Sequence, residues 1–286
     1  MAGVLLSGLA IVGRAGVAHA DFPLPDVPLV RSNLGAEYRF DFGGGRYDQR
    51  SLRIEGSGVQ VSLIKPGRDG LRVAIPRGPG GKGLSLCTKF GLGGDFEVMA
   101  SYEVIRAPQP KPGARVGVEV ALQSAARWEE RVYLSRELDP RGGEAQLWGG
   151  IEGGEDPPRI EPPVATGSAA RRGRFHLARV GPIVYLHAAE EGKAFRKVFE
   201  GNFGTSNLMF LRMQTRYEGA DQGFEMSWKE VTIRAESLPT DPGRPGSGSS
   251  RPPTWLIVAG CAGILIAIAG WSIARGHGPA NRHHKA

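Results

Sequence analysis

Cysteine is scarce in this chain, with two residues among 286. Cys261 lies inside a long apolar run and cannot pair with Cys87, so a disulfide framework is excluded. Cys87 stands in the strand-like segment LSLCTKF, where we expect a small, buried, apolar thiol. A reactive thiol would instead require a cationic and accessible setting. Non-covalent packing must therefore hold this protein together.

A helical pattern is also missing, since residues 1–250 show no apolar period of 3.6 residues sustained beyond about three turns. The chain instead carries 43 glycines and 21 prolines spread along its length. Such a composition is typical of short strands joined by turns. The lack of helices between the strands makes βαβ folds a poor match.

A basic face is missing from the body of the chain. The net charge is +7, but residues 21–238 hold 30 Lys and Arg against 28 Asp and Glu. The excess flanks the apolar run, at Arg244, Arg251, Arg275, Arg282 and Lys285. Nucleic-acid binders concentrate basic residues on their folded surface, so we predict no nucleic-acid partner.

Signatures of familiar catalytic and metal sites are lacking as well. The chain has no G-x-S-x-G elbow, no phosphate-binding loop and no H-E-x-x-H pair. We predict no cofactor and no metal site. The histidines of the last residues, His277, His283 and His284, are interpreted as part of a short exposed tail rather than as metal ligands.

One long hydrophobic run is present, from Trp255 to Ala274. Its 20 uncharged residues would form a helix of ~30 Å, the thickness of a bilayer core. We therefore predict a transmembrane helix over residues 254–274, with the lipid bilayer as its partner. A stripe of small residues, Ala259, Gly263 and Ala267, is compatible with self-association, although Gly and Ala are common in membrane spans.

The two ends of the chain predict its orientation. Residues 1–20 are apolar and end in Ala18-His19-Ala20, which fits the cleavage site of a signal peptide. The tail at 275–286 is basic, as cytoplasmic flanks of membrane spans are. We expect a single-pass protein in the cell membrane, with its body outside the cytoplasm and its C-terminus inside.

The remaining chain divides by composition. Residues 21–35 are Pro-rich and are predicted to be an extended lead-in, and residues 238–253 form a Pro/Gly/Ser-rich tether. The body between them, at 36–237, alternates apolar and polar residues with a period of two. This pattern indicates roughly twelve strands with one face inward. We predict an all-β, antiparallel β-sandwich, with residues 149–172 as a long irregular excursion.

Several segments resemble the concanavalin A-like, laminin G-like jelly rolls of secreted bacterial proteins. They are EYRFDF at 37–42, GLRVAIP at 70–76, FGLGGDFEV at 90–98, RFHLARVGPIVYL at 174–186 and MSWKEVTIR at 226–234. The order of a GLR strand and a GDFE strand is similar to that of an uncharacterised family, a domain of unknown function. The resemblance implies a jelly roll over most of residues 36–236 and a link to glycans. It implies no catalytic residue.

Carboxylates on the polar phase of two strands are the candidates for glycoside cleavage, which needs two acids at one groove. They are Glu97, Glu103 and Glu119. The pattern favours solvated charges on an outer face. The alternative is that Glu97 and Glu119 face each other in a groove.

The candidates for ligand binding are Trp148, Asp95, Arg172 and Arg174. Trp148 stands beside two glycines and could stack on a sugar, whereas Trp228 is predicted to lie in the core. Asp95 fits a turn residue, and the two arginines fit a solvated turn or an anion contact.

Two histidines flank a predicted turn at Gly181-Pro182. This spacing would make His176 and His187 cross-strand neighbours, either as a plain structural pair or as a catalytic or metal pair.

Three functions remain open at this point. The first is a non-enzymatic module that binds a glycan or another envelope component. The second is a membrane-tethered enzyme that processes glycosides, and the third is a scaffold of the cell envelope.

Overall fold

The computed structural model describes residues 34–56, 61–77, 83–141, 144–153, 158–165, 170–217 and 222–240. Helical structure within these ranges amounts to the single 3₁₀ turns Phe42–Gly44 and Val61–Leu63. The strands are β1 (Ala36–Asp41), β2 (Leu52–Glu55), β3 (Ile64–Gly67), β4 (Gly70–Ile75), β5 (Ser85–Thr88), β6 (Gly93–Arg106), β7 (Val116–Ser124), β8 (Arg131–Leu138), β9 (Ala145–Glu152), β10 (Arg159–Ile160), β11 (Val164–Ala165), β12 (Arg172–Val180), β13 (Ile183–Glu190), β14 (Arg196–Asn202), β15 (Leu208–Tyr217) and β16 (Phe224–Ser237).

These strands form two eight-stranded antiparallel sheets. Sheet A has the order β14-β13-β12-β6-β16-β4-β3, and β1 also pairs with β16. Sheet B has the order β10-β9-β8-β7-β15-β5-β2, and β11 also pairs with β9. Neighbours in each sheet are often distant in sequence, as in a jelly roll, and the predicted all-β antiparallel sandwich is confirmed.

Alternating apolar residues of both sheets form the core. On β6 the buried residues of the inward phase are Phe96, Val98, Ala100, Tyr102 and Val104. On β7 they are Val116, Val118, Val120 and Leu122. Trp228 of β16 is fully buried among them, as predicted. Because side chains along a strand alternate, the intervening residues of each sheet face away from the core.

The hairpin of β12 and β13 also follows the prediction. Val180 pairs with Ile183 across the turn, and Gly181 has a φ of 57°, which favours glycine. His176 and His187 are direct cross-strand partners in this hairpin, so their predicted proximity is confirmed.

The predicted irregular excursion at 149–172 is wrong at its start, because β9 continues to Glu152. A Cβ on Gly149 would lie 3.0 Å from Val198 and 3.1 Å from Phe199 of sheet A. Glycine at position 149 thus allows the two sheets to approach each other closely, and it does not mark a turn. Sequence composition does not distinguish these two uses.

None of the described residues belongs to a helix long and apolar enough to cross a membrane. The predicted signal peptide, the span Trp255 to Ala274 with its stripe Ala259, Gly263 and Ala267, and the basic tail lie outside the described residues.

Gly117 offers a test of the close pairing of β7 with β8. A Cβ at this position would collide with the carbonyl oxygen of Arg136 and lie 2.8 Å from the Cα of Glu137. We expect Gly117→Ala to destabilise the fold by about 1–3 kcal/mol and to lower the melting temperature by roughly 3–10 °C. Gly44→Ala is the matched control, because its Cβ would meet nothing within 4 Å. Equal melting temperatures for both variants in a thermal scan would contradict this packing.

Candidate functional site

One row of side chains crosses the outer face of sheet B, from β9 to β2. Cross-strand pairing places its members side by side: Trp148, Ser135, Glu119, Gln214, Ser85 and Glu55. Glu119 is at the middle of this row and is completely buried. A buried carboxylate on an outward-facing position needs compensating partners, so we follow its contacts.

Both oxygens of Glu119 are occupied by donors. Oε1 accepts from Nη1 of Arg131 at 3.2 Å and from the side-chain amide of Gln214. Oε2 accepts from Nε of Arg216 at 2.7 Å and from Nη2 of the same guanidinium. Two arginines therefore approach one carboxylate, in the charge-assisted geometry that is stronger than a neutral hydrogen bond.

A second carboxylate extends this network towards one end of the strands. Arg131 donates through Nη2 and Nε to Oε2 of Glu152, at 2.6 and 3.2 Å. The Cζ of Arg131 lies 5.4 Å from the centre of the Tyr133 ring. Burial, and next the charge of Glu152, raise the pKa of Tyr133. This phenol therefore stays protonated at neutral pH and acts as a hydrogen-bonding group.

A third carboxylate extends the network towards the other end. Glu137 accepts a hydrogen bond from the hydroxyl of Ser135 at 3.0 Å. Its Oε1 is also 3.9 Å from Nε of Arg216. We call Glu119, Glu137, Glu152, Arg131, Arg216 and Gln214 the outer-face network.

Burial decides the electrostatics of the network. Desolvation raises the pKa of Glu119, while Arg216 and Arg131 oppose the shift and Glu137 adds to it. Arg216 and Arg131 remain 15% and 20% exposed, and Glu152 is 25% exposed. The surface thus offers guanidinium and carboxylate groups held in fixed positions, which suits a ligand rich in hydroxyls.

The structure divides the predicted candidates between two faces. Glu119 and Trp148 are on sheet B, whereas Glu97 and Glu103 are on β6 of sheet A. The grouping of Glu97 with Glu119 in one groove is wrong, because both point away from a core that lies between them. Glu103 instead pairs with Lys229 at 2.6 Å and Arg172 at 3.1 Å, contacts that lower its pKa.

The other candidates on sheet A contact protein groups. Asp95 accepts from the backbone N–H of Gly181 at 2.7 Å and so braces the β12–β13 turn. The guanidinium of Arg174 lies 4.9 Å from the centre of the Phe195 ring. Arg172 bridges Glu103 and the Glu191 carboxylate at 3.1 Å each. None of these contacts joins the outer-face network.

Trp128 is a surface residue to which the sequence assigned no role. It lies in the turn between β7 and β8, is 72% exposed, and its carbonyl accepts from the side chain of Gln123. Arg131 begins the next strand three residues later. An exposed tryptophan at the end of a polar face is suited to stacking on a sugar ring. The charged residues around Trp128, in the segment RWEER at 127–131, were the sequence feature that could have identified this tryptophan as exposed.

Cys87 lies in the same face but is buried, as predicted. Burial, and next the Glu55 carboxylate, raise the pKa of this thiol to about 11. It is therefore protonated at neutral pH and is a poor nucleophile.

A separate cleft of about 590 Å³ lies between β14 and the β10–β11 segment. Its lining includes Glu161, Val164, Ile183, Lys197 and Glu200. Lys197 pairs with Glu200 at 3.2 Å, so these two charges satisfy each other. None of the predicted site residues lines this cleft, and the outer-face network offers a ligand more hydrogen-bonding groups.

Removing the central carboxylate tests the network. Glu119→Ala would leave Arg131 and Arg216 facing each other without their shared anion. We expect a loss of about 3–5 kcal/mol in the free energy of unfolding, measured by urea titration. Glu37→Ala, which removes an exposed partner of Arg234, is the control and should cost less than about 1 kcal/mol. A cost for Glu119→Ala as small as the control's would show that the network is not held by this group.

Solved structures with a similar fold include proteins described by their action on glycans. One belongs to the endo-acting O-glycanases with which human gut microbiota initiate mucin breakdown, with a TM-score of 0.54, 10% identity and coverage of 69% of this chain and 98% of that one. A laminarinase from Flavobacterium sp. UMI-01 has a TM-score of 0.53 and 9% identity, and the match covers 69% of this chain and 98% of that one. The CBM2 module of the evolved Dit of Lactobacillus casei BL23 phage J-1 has a TM-score of 0.51 and 7% identity, and the match covers 69% of this chain and 94% of that one. At these identities the likeness establishes the concanavalin A-like jelly roll alone.

No curated protein shows significant sequence similarity to this chain. A family model does match, over residues 21–245, which include all sixteen strands. The chain therefore belongs to the family described as protein of unknown function (DUF1583) C domain.

Proposed function

We propose that this protein is a membrane-anchored, extracytoplasmic module that binds a glycan, or another envelope component, through the outer face of sheet B without transforming it. The observation that carries the proposal is the outer-face network, in which Glu119 fixes Arg131 and Arg216 on a polar surface. Trp148 and Trp128 supply aromatic groups on the same face and at its end. Polar groups with aromatic surfaces are the components of a sugar site.

The state of Glu119 supports binding over catalysis. A glycosidase nucleophile or acid must reach the glycosidic bond, but both oxygens of Glu119 already accept from protein donors. The residue is also fully buried. In this proposal Glu119 positions the two arginines, and their exposed edges contact the ligand.

One observation favours an enzyme as the second candidate. Glu119 and Glu137 approach the same Nε of Arg216, at 2.7 and 3.9 Å. Their oxygens are thus separated by no more than the sum of these distances, an upper limit that allows the spacing of about 5–5.5 Å found for the carboxyl pair of retaining glycosidases. A glycoside-processing enzyme would use Glu137, which is bonded only weakly to Arg216, as its reacting group.

A polysaccharide panel separates the two candidates. We would incubate the protein with mucin, laminarin and mixed-linkage β-glucan, and measure both retention in affinity gels and release of reducing ends. Binding without catalysis predicts retention of at least one polymer, no release, and about tenfold or greater weakening by Trp128→Ala, a change of at least about 1.4 kcal/mol. Arg172→Ala on sheet A is the control and should bind like the wild type.

The results that contradict each candidate differ. Reducing ends released by the wild type and lost by about 100-fold or more in Glu137→Gln would replace the binding proposal with the enzyme. No retention of any polymer would contradict the glycan ligand. Equal retention by the wild type and Trp128→Ala would contradict the assigned face.

The membrane anchor rests on the sequence from Trp255 to Ala274, an uncharged run of 20 residues that follows a Pro/Gly/Ser-rich segment. We expect the full-length protein to stay with membranes after alkaline carbonate extraction. The double variant Ile264→Arg and Ile266→Arg should move to the supernatant, because each central arginine opposes insertion by roughly 3 kcal/mol. Leucine at both positions is the control, and its extraction like that of the arginine variant would contradict the anchor.

A further inference from the structure

Two histidines lie side by side on the outer face of sheet A, away from the outer-face network. His176 of β12 and His187 of β13 are register partners. Their ring centroids are 5.7 Å apart and their planes are inclined by 36°. Exposure is 0% for His176 and 6% for His187. Buried, adjacent imidazoles on an outward phase are unusual, because an outer face ordinarily solvates its polar groups.

A carboxylate sets the proton position of His176. Nε2 of this ring is 3.0 Å from Oε1 of Glu97. Since an ionised carboxylate only accepts, the ring donates from Nε2, and in the neutral imidazole the lone pair is then on Nδ1. A carboxylate that orients a histidine in this way is the arrangement found behind histidines that bind metals.

One nitrogen of each ring is left without a partner. Nδ1 of His176 and Nδ1 of His187 are both buried and have no hydrogen-bond partner within the part of the chain that the structure describes. A buried polar atom left without a partner costs about 1–3 kcal/mol, so native proteins rarely retain two together. An occupant that contacts both nitrogens would account for the pair.

Aromatic and charged side chains surround this pair. Phe195 packs edge-on against His176, with centroids 5.9 Å apart, and Arg174 lies over the Phe195 ring. Burial, and next the neighbouring His176 and Lys197, lower the pKa of His187 to about 4. The positive charge of Lys197 is partly offset by Glu200, 3.2 Å away.

We propose that His176 and His187 bind one copper(I) ion between their Nδ1 atoms, with Glu97 holding His176 in position. Bonds of about 2.0 Å place the two nitrogens about 4 Å apart, which rings with these centroids can reach because the nitrogens lie on the ring edges. The described residues contain no cluster of three or more His, Cys, Asp or Glu suited to a metal. Structural zinc takes four ligands. Imidazole is a ligand that suits copper, and copper(I) forms linear complexes with two nitrogen ligands.

Copper(I) binding by the full-length protein tests this inference. Exposed histidines take up added copper non-specifically, so the background carries His277→Asn, His283→Asn and His284→Asn. Copper(I) is supplied without oxygen as its acetonitrile complex and competed with a chromophoric chelator. We expect one ion per chain, at least tenfold weaker affinity in His176→Gln or His187→Gln, and a loss of 10–100-fold in Glu97→Gln.

Tyr185→Phe, two residues from His187 on the same phase of β13, is the matched control and should bind like the background. Because a variant that fails to fold would also lose copper, X-ray absorption of the copper-loaded background provides a second readout, with two nitrogen ligands expected. Three outcomes would each overturn the proposal: both histidine variants bind copper as tightly as the background, the background binds no copper, or it binds zinc in place of copper. The first two outcomes would leave a bridging water as the occupant.

Discussion

Apolar side chains from β6, β12 and β16 pack against those from β7, β8 and β15, and the burial of this layer is the interaction on which the rest of the structure depends. Each strand contributes every second residue to the layer, so it must send the others outward. A polar residue one position out of phase would enter the core at a cost of several kcal/mol. The same constraint that holds the sheets together therefore determines which polar residues can meet and which face they share.

The two outer faces use their polar residues differently. Sheet B gathers three carboxylates and two arginines into a network with a buried centre at Glu119. A buried ion pair of this kind contributes little net stability relative to apolar packing, but it fixes the orientation of its members. Sheet A has charge pairs at partly exposed positions, such as Arg39 with Glu230. Among the described residues of this face, Nδ1 of His176 and Nδ1 of His187 are buried and have no hydrogen-bond partner.

Much of the fold was predictable from sequence, because burial of one strand face leaves a period of two. The predicted alternation over 36–237 is found in β6 and β7, where every second residue is buried in the core, and the predicted turn at Gly181-Pro182 joins β12 to β13. Glycine was less informative. Gly149 was placed at the start of an irregular excursion, yet it permits β14 to approach β9 in the middle of a strand. A residue without a side chain gives the same signal in both roles.

The candidate site was predictable only in part. The sequence identified Glu119 and Trp148 as outward residues, and it placed His176 beside His187 because a short hairpin fixes its own register. It determined that this is an all-β chain with one long apolar run, since both follow from local patterns of hydrophobicity. The tertiary structure decided that Glu97 and Glu119 are on opposite faces, and that Arg131 and Arg216 meet at one carboxylate. Those contacts join strands far apart in the chain, through sheet orders that periodicity leaves undetermined.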